Sequence, residues 1–207
     1  MPRVSDAHRE QRRQQILDAA RRRFARNGFH QTSIQDILTE ANLSAGALYR
    51  YFRSKEEIIE TIAEDALRQV TAPIGQLTRR RPLPPLDAVI EQLLTNAEDF
   101  GFRPDGFAYI GPQVWAEALR NPQLRELVRD RFAEVRDALA GVVRAEQAAG
   151  RIPTDADPDD VAGFLFGSLL GYVLQRVLTG AVDAKSYSAA LGALTGGADH
   201  ARATLGD

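Results

Sequence analysis

The chain has no cysteine. That excludes disulfides, thiolate nucleophiles and Cys-based zinc sites, and it fits a reducing cytoplasm. Histidine is nearly as scarce: His8, His30 and His200 stand alone, none with a second ligand at helical spacing. The sequence has no phosphate-binding glycine loop, no G-x-S-x-G and no zinc signature. Asp155, Asp157, Asp159 and Asp160 lack EF-hand spacing, and helix capping accounts for them. We therefore expect no enzyme activity, no cofactor and no metal. The opening MPRVSDAHREQRRQQ has no apolar core and is not a secretory signal. The longest apolar run, Val161 to Leu174, has 14 residues. A bilayer needs roughly 20, so a buried helix and no membrane partner are expected.

The chain is organised around Thr32 to Lys55, TSIQDILTEANLSAGALYRYFRSK. Ile34, Ile37, Leu38 and Ala41 recur with helical period. Thr32 or Ser33 can cap this helix, and Thr32 with Gln35 has capping-box spacing. Asn42 stands where the chain must reverse, and Asn visits the left-handed region cheaply. Ser44 is placed to cap a second helix whose Leu48 and Phe52 face inward. Ser54 and Glu57 form a capping box for the next helix. Two short helices joined by a tight turn make a helix-turn-helix, whose second helix usually enters the DNA major groove. The second helix begins with Ala45, Gly46 and Ala47, then offers Tyr49, Arg50 and Tyr51. Small residues permit close approach to bases, while hydroxyl and cationic tips bind phosphate.

These residues carry a resemblance. The segment from Ile16 to Ile59 resembles the DNA-binding domain of TetR-type bacterial repressors. Phe24-Ala25-Arg26-Asn27-Gly28 matches the end of the family's first helix, Thr32-Ser33-Ile34 the start of its second, and Leu48 to Glu56 its Leu-Tyr-x-Tyr-Phe-x-Ser-Lys-Glu core. Asn42 departs from the family's usual Gly. The remainder agrees in length, helical content and layout alone, so little about a ligand is inherited. The resemblance implies an all-α fold: a three-helix head, residues 1–54, and a ligand-binding and dimerisation domain, residues 55–207, with about nine helices.

Charge is divided along the chain. Residues 1–55 carry 11 Arg and Lys against 5 Asp and Glu, whereas residues 56–207 carry 15 against 23. A basic head on an acidic body is an electrostatic footprint of nucleic-acid binding. Arg12, Arg13, Arg21, Arg22, Arg23 and Arg26 cover the outer faces of helix one, most of them solvated. Gly28 should stop that helix. Lys55 sits at a helix start, an unhelpful place for a cation, and reads as a phosphate contact, as the resemblance also implies. Pro73 and Gly111-Pro112 should interrupt or bend their helices. Asn121-Pro122 and Asp157-Pro158 open two further helices.

Gly163, Gly167 and Gly171 are spaced four apart within an almost wholly apolar helix. Three interior glycines, each costing about 1 kcal/mol against Ala, point to close helix–helix approach. Ala190, Ala193 and Leu194 belong to a small-residue-rich final helix. We read both helices as a four-helix interface between two copies, as the resemblance also implies.

The expected protein is a homodimeric regulator of double-stranded operator DNA, released by an unknown, mostly apolar small-molecule effector. The DNA contacts expected are Ser33, Ser44, Ala45, Gly46, Tyr49, Arg50, Tyr51 and Lys55. Leu94, Phe107, Ile110, Val114, Trp115, Phe132 and Phe164 are the candidate pocket lining. The rival class is an interaction module that binds a protein or anionic surface through its basic first helix.

Overall fold

The computed structural model describes residues 6–80 and 82–195, without the side chains of Phe100, Leu191, Leu194 and Thr195. Arg3 and His200 lie outside the described residues. Among the described residues there are nine α-helices, one π-helical turn and no strand. The α-helices are α1 Asp6–Gln31, α2 Ile34–Ala41, α3 Ala45–Leu48, α4 Lys55–Thr78 and α5 Leu86–Asn96. After the π turn, Ala97–Gly101, come α6 Phe107–Ala118, α7 Pro122–Ala148, α8 Pro158–Thr179 and α9 Ala184–Thr195.

Helix boundaries follow local chemistry. Gly28, at φ 80, breaks the regular part of α1 as expected. The cap of α2 is Ser33, not Thr32: its Oγ accepts from Asp36 N at 3.1 Å, and the Asp36 carboxylate accepts from Ser33 N at 2.8 Å. Thr32 is occupied elsewhere, its hydroxyl donating to the Gly28 carbonyl at 2.9 Å. Ser54 caps α4 through Glu57 N at 3.3 Å, but the Glu57 carboxylate reaches back to Arg53 N rather than Ser54 N. Asn121 Oδ1 accepts from Gln123 N and Leu124 N, and Asp157 Oδ1 from Asp159 N and Asp160 N, as the Asn-Pro and Asp-Pro pairs predict.

Two expected interruptions do not occur. Helix α4 continues through Pro73 and α6 through Pro112. Each proline removes one backbone donor, and the surrounding turns carry the helix on. At α6 the preceding residue is Gly111, which has no Cβ to clash with the proline ring. Helix α5 stops at Asn96 and widens into the π turn.

The chain forms two compact units, with α4 and α7 each contributing to both. The first holds the chain to Leu67 together with Arg103–Val128. Its core joins Ile16, Phe24, Ile37, Leu38, Leu48 and Phe52 with Ile58, Ile62, Ile110 and Val114. The head expected at 1–54 is therefore extended, because the apolar faces of early α4 and of α6 complete its core. Truncating one of these side chains to Ala costs about 2–5 kcal/mol.

The second unit holds Arg68–Phe102 and the chain from Arg129. It buries Val89, Ile90 and Leu94 of α5, Leu139 and Val142 of α7, and Leu165, Phe166 and Tyr172 of α8. The Tyr172 hydroxyl donates to Glu98 Oε1 at 2.8 Å, and Ala184 N donates to the same oxygen at 3.0 Å. Burial first, and then the Glu98 carboxylate, raise the Tyr172 phenol above its usual range. The nearly buried Glu146 is paired twice with Arg151, at 2.7 and 2.6 Å.

Candidate nucleic-acid interface

Asn42 turns the chain between α2 and α3 in the left-handed region, φ 52 and ψ 49. Leu43 N donates to the Leu38 carbonyl at 3.1 Å, closing the end of α2. From α1, Gln15 Nε2 donates to the Ala41 carbonyl at 2.8 Å and fixes the turn to the head. Sequence reasoning missed Gln15, because a lone amide on a helix carries no periodic signal.

The second helix is shorter than expected, a single turn over Ala45–Leu48, followed by a turn through Tyr49, Arg50 and Tyr51. Leu48 and Phe52 face inward, and the Arg13 guanidinium lies 5.3 Å from the Phe52 ring centre. Ser44, Ala45, Gly46, Tyr49 and Arg50 are exposed, and Ser44 accepts no capping bond. Tyr49 is 55% exposed. Tyr51 is half-buried against the core of the head. A Cβ built on Gly46 would meet nothing within 4 Å. Its smallness therefore serves no contact inside the protein. Ser33 is exposed at the start of α2, and its hydroxyl bonds Asp36 at 2.6 Å. Lys55 is half-buried, with Nζ donating to the Thr32 carbonyl at 2.9 Å.

Much of the basic surface of α1 is paired rather than solvated. Arg21 bonds Asp65 at 2.6 Å and meets Asp18 at 3.3 Å. Glu40 lies 2.9 Å from Arg22 and 3.0 Å from Arg23, with Arg26 at 3.8 Å. The Arg22 hydrogen bond, reinforced by these charges, holds the Glu40 carboxyl below its usual range. His30 is exposed, and its Nε2 lies 3.1 Å from the Glu117 carboxylate.

The structure distributes the pocket candidates over both units. Ile110 and Val114 are buried in the core of the head, and Phe107 packs against it. Trp115 is half-buried on the same helix. Leu94 is buried in the second unit, where Phe132 meets Phe166 edge-on at 4.9 Å. Phe164 is 64% exposed on α8. Helical geometry gives the reason. Phe164, Gly171 and Leu178 are seven apart, so Phe164 shares the open glycine stripe instead of opposing it. Gly167 is exposed, and Gly163 and Gly171 are half-exposed. A Cβ at Gly163 or Gly167 would meet nothing within 4 Å, whereas one at Gly171 would lie 3.7 Å from the Tyr187 hydroxyl. Ala190 and Ala193 are exposed on α9, and the Leu194 side chain lies outside the description. Helix α8 is long and apolar enough to cross a membrane by length and composition, although its uninterrupted apolar run is short.

The head also carries a groove of about 380 Å³ that was not foreseen. Glu57, Glu60, Thr61 and Glu64 of α4 line one side, and Gln123, Leu124 and Leu127 of α7 the other. The glutamates share a helix face in the sequence, but only folding brings the leucines opposite. No group of three or more His, Cys, Asp or Glu able to hold a metal is found among the described residues.

A helix-turn-helix with a buried apolar side and an open, small-residue side, in an all-helical chain, defines a DNA-binding transcription regulator. Comparison with known proteins makes this specific. The chain belongs to the tetR family: residues 16–62 match the family described as bacterial regulatory proteins, tetR family, and residues 85–198 match the BetI-type transcriptional repressor C-terminal domain. It is 28% identical over 190 residues to the HTH-type transcriptional regulator UidR of Escherichia coli K12, covering 89% of this chain and 91% of UidR. The fold is shared with a Saccharomonospora viridis regulator solved with choline, at TM-score 0.73 and 23% identity over 88% of this chain and 94% of that one. It is also shared with Bacillus subtilis FadR solved with stearoyl-CoA, at TM-score 0.66 and 20% identity over 88% and 96%.

Proposed function

We propose that the protein works as a homodimeric repressor in the cytoplasm, released from a pseudo-palindromic operator by a small, mostly apolar molecule. Two α3 turns would enter successive major grooves with centres about 34–36 Å apart. The observation that carries this reading is the open leading edge of α3. Ala45 and Gly46 are exposed, and nothing in the fold requires Gly46 to be small. Glycine in a helix is costly, and close approach to base edges is the gain that offsets it. Tyr49 and Arg50 stand exposed behind that edge and, with Ser44, are suited to phosphate or base contacts. Tyr51, half-buried, would offer its hydroxyl at the rim, and Ser33 would meet the backbone from the start of α2.

The two copies would pair through α8 and α9. The exposed glycine stripe, Phe164 and Leu178 form an apolar face that water does not favour, and Ala190 and Ala193 supply a second smooth surface. A ligand bound in the body would favour a dimer whose heads are wrongly spaced, provided it binds that form more tightly. The choline and stearoyl-CoA complexes of like-folded proteins support a ligand-binding body. The rival reading, an anionic-surface module built on α1, is weakened by the internal pairing of Arg21, Arg22 and Arg23.

Selection of duplexes from a random library tests the DNA reading. The wild-type protein should enrich one palindrome, and Tyr49→Ala should lose it. Equal binding of random and enriched duplexes by both proteins rejects the reading. For the ligand, a thermal-shift screen that includes choline and long-chain acyl-CoA should yield a compound that also releases DNA. Stabilising compounds that all leave the DNA complex intact would reject that part.

A further inference from the structure

Lys55 opens α4, so its charge stands at the positive end of its own helix. The neighbour that suits this cation is the end of another helix. Its Nζ donates to the Thr32 carbonyl at 2.9 Å. Thr32 is 1% exposed, and its hydroxyl donates to the Gly28 carbonyl at 2.9 Å. Gln113 Nε2 donates to the Phe24 carbonyl at 3.0 Å. These groups gather at the C-terminal end of α1, where Gly28 interrupts the backbone ladder. Such an end carries partial negative charge and favours a cation. The residue after Thr32 is Ser33, the N-cap of α2.

We propose that Lys55 is a positioning residue for DNA recognition, rather than chiefly a phosphate ligand. Its ammonium ties the start of α4 to the joint between α1 and α2. That joint sets the direction in which α2, the Asn42 turn and α3 depart. The proposal rests on the DNA-binding reading and assigns Lys55 a different task within it. A phosphate ligand contributes to binding any duplex; a positioning residue contributes where α3 must fit one sequence.

The experiment compares wild type, Lys55→Met, Lys55→Gln and Lys55→Arg on two duplexes. One is the sequence the wild type selects from a random library, and the other is its scrambled version. Affinities are measured by anisotropy between about 50 and 200 mM salt. Losing a part-buried tie of capping strength should lower the preference for the selected duplex roughly tenfold in Lys55→Met. Binding to the scrambled duplex and its salt slope should stay unchanged, and Lys55→Arg should recover the preference. The proposal is overturned if Lys55→Met weakens both duplexes alike with a salt slope reduced by about one, the mark of a lost phosphate contact. It is also overturned if Lys55→Met keeps the full preference. Lys55→Gln decides the matter if Lys55→Met does not fold: it also removes the charge, so an unchanged salt slope on the scrambled duplex supports the proposal and a slope reduced by about one overturns it. A wild type without preference rejects the DNA-binding reading itself, a failure that is told apart from the others.

Discussion

At Gly46 a methyl group would enter open space. Gly46→Ala should therefore leave the fold intact or stabilise it by about 0.5–1 kcal/mol. The same change should weaken specific DNA binding, so melting temperature and affinity move in opposite directions. A loss of both together would show that the glycine serves packing. Asn42 tests the turn. At φ 52 a β-branched residue is strained, so Asn42→Val should cost about 1–2 kcal/mol in chemical denaturation, while Asn42→Gly should cost little or nothing. Asp36 tests the cap. The Ser33 hydroxyl, and then the Ser33 backbone N–H, hold its carboxyl below the usual range. A carboxyl lowered in the folded state contributes stability above its unfolded value, near 3.9, and loses it as pH falls through the folded value. The head should lose stability on acidification below about pH 4, and Asp36→Asn should remove part of that dependence in a melting series.

At the scale of elements, Glu98 is where the π turn after α5 meets α8 and α9. One carboxylate oxygen accepts from the Tyr172 hydroxyl and from Ala184 N. Tyr172→Phe keeps the ring and its contacts with Phe102 and Tyr187 but removes this bond. It should cost about 1.5–3 kcal/mol in urea denaturation, the range for a hydrogen bond to a charged group. Hydrogen exchange should quicken in α9 more than in α1 if the effect is local to this junction. The helix-turn-helix shows a second lesson about elements. Its α3 is one turn long and could not persist alone. Buried Leu48 and Phe52, with the Asn42 turn, hold it in place.

For the whole molecule, the open face of α8 matters most. Phe164 and Leu178 are 64% and 78% exposed on a helix otherwise suited to burial. On the dimer reading, Phe164→Glu should shift sedimentation from dimer to monomer at micromolar concentration. The monomer should bind the selected duplex at least tenfold more weakly, since half of the palindrome contacts are lost. A wild-type protein that sediments as a monomer at every concentration would sink the dimer reading.

Helix starts and stops were legible because they depend on neighbours in the chain. Asn42, Asn121 and Asp157 perform their capping roles through bonds spanning only a few residues, and Gly28 breaks α1 through its own backbone angles. The helix-turn-helix was legible for the same reason, helped by a motif whose residue types match a known family. What the sequence left open depended on partners far along the chain. Thr32 is not the cap of α2 because its hydroxyl is turned back to the Gly28 carbonyl. The head does not end at residue 54 because Ile58, Ile62, Ile110 and Val114 complete its core. The basic face of α1 is partly neutralised by Glu40 and Asp65, which no local pattern pairs with it. Local backbone preference is set by a residue and its neighbours, whereas pairing and burial depend on which surfaces the folded chain brings together.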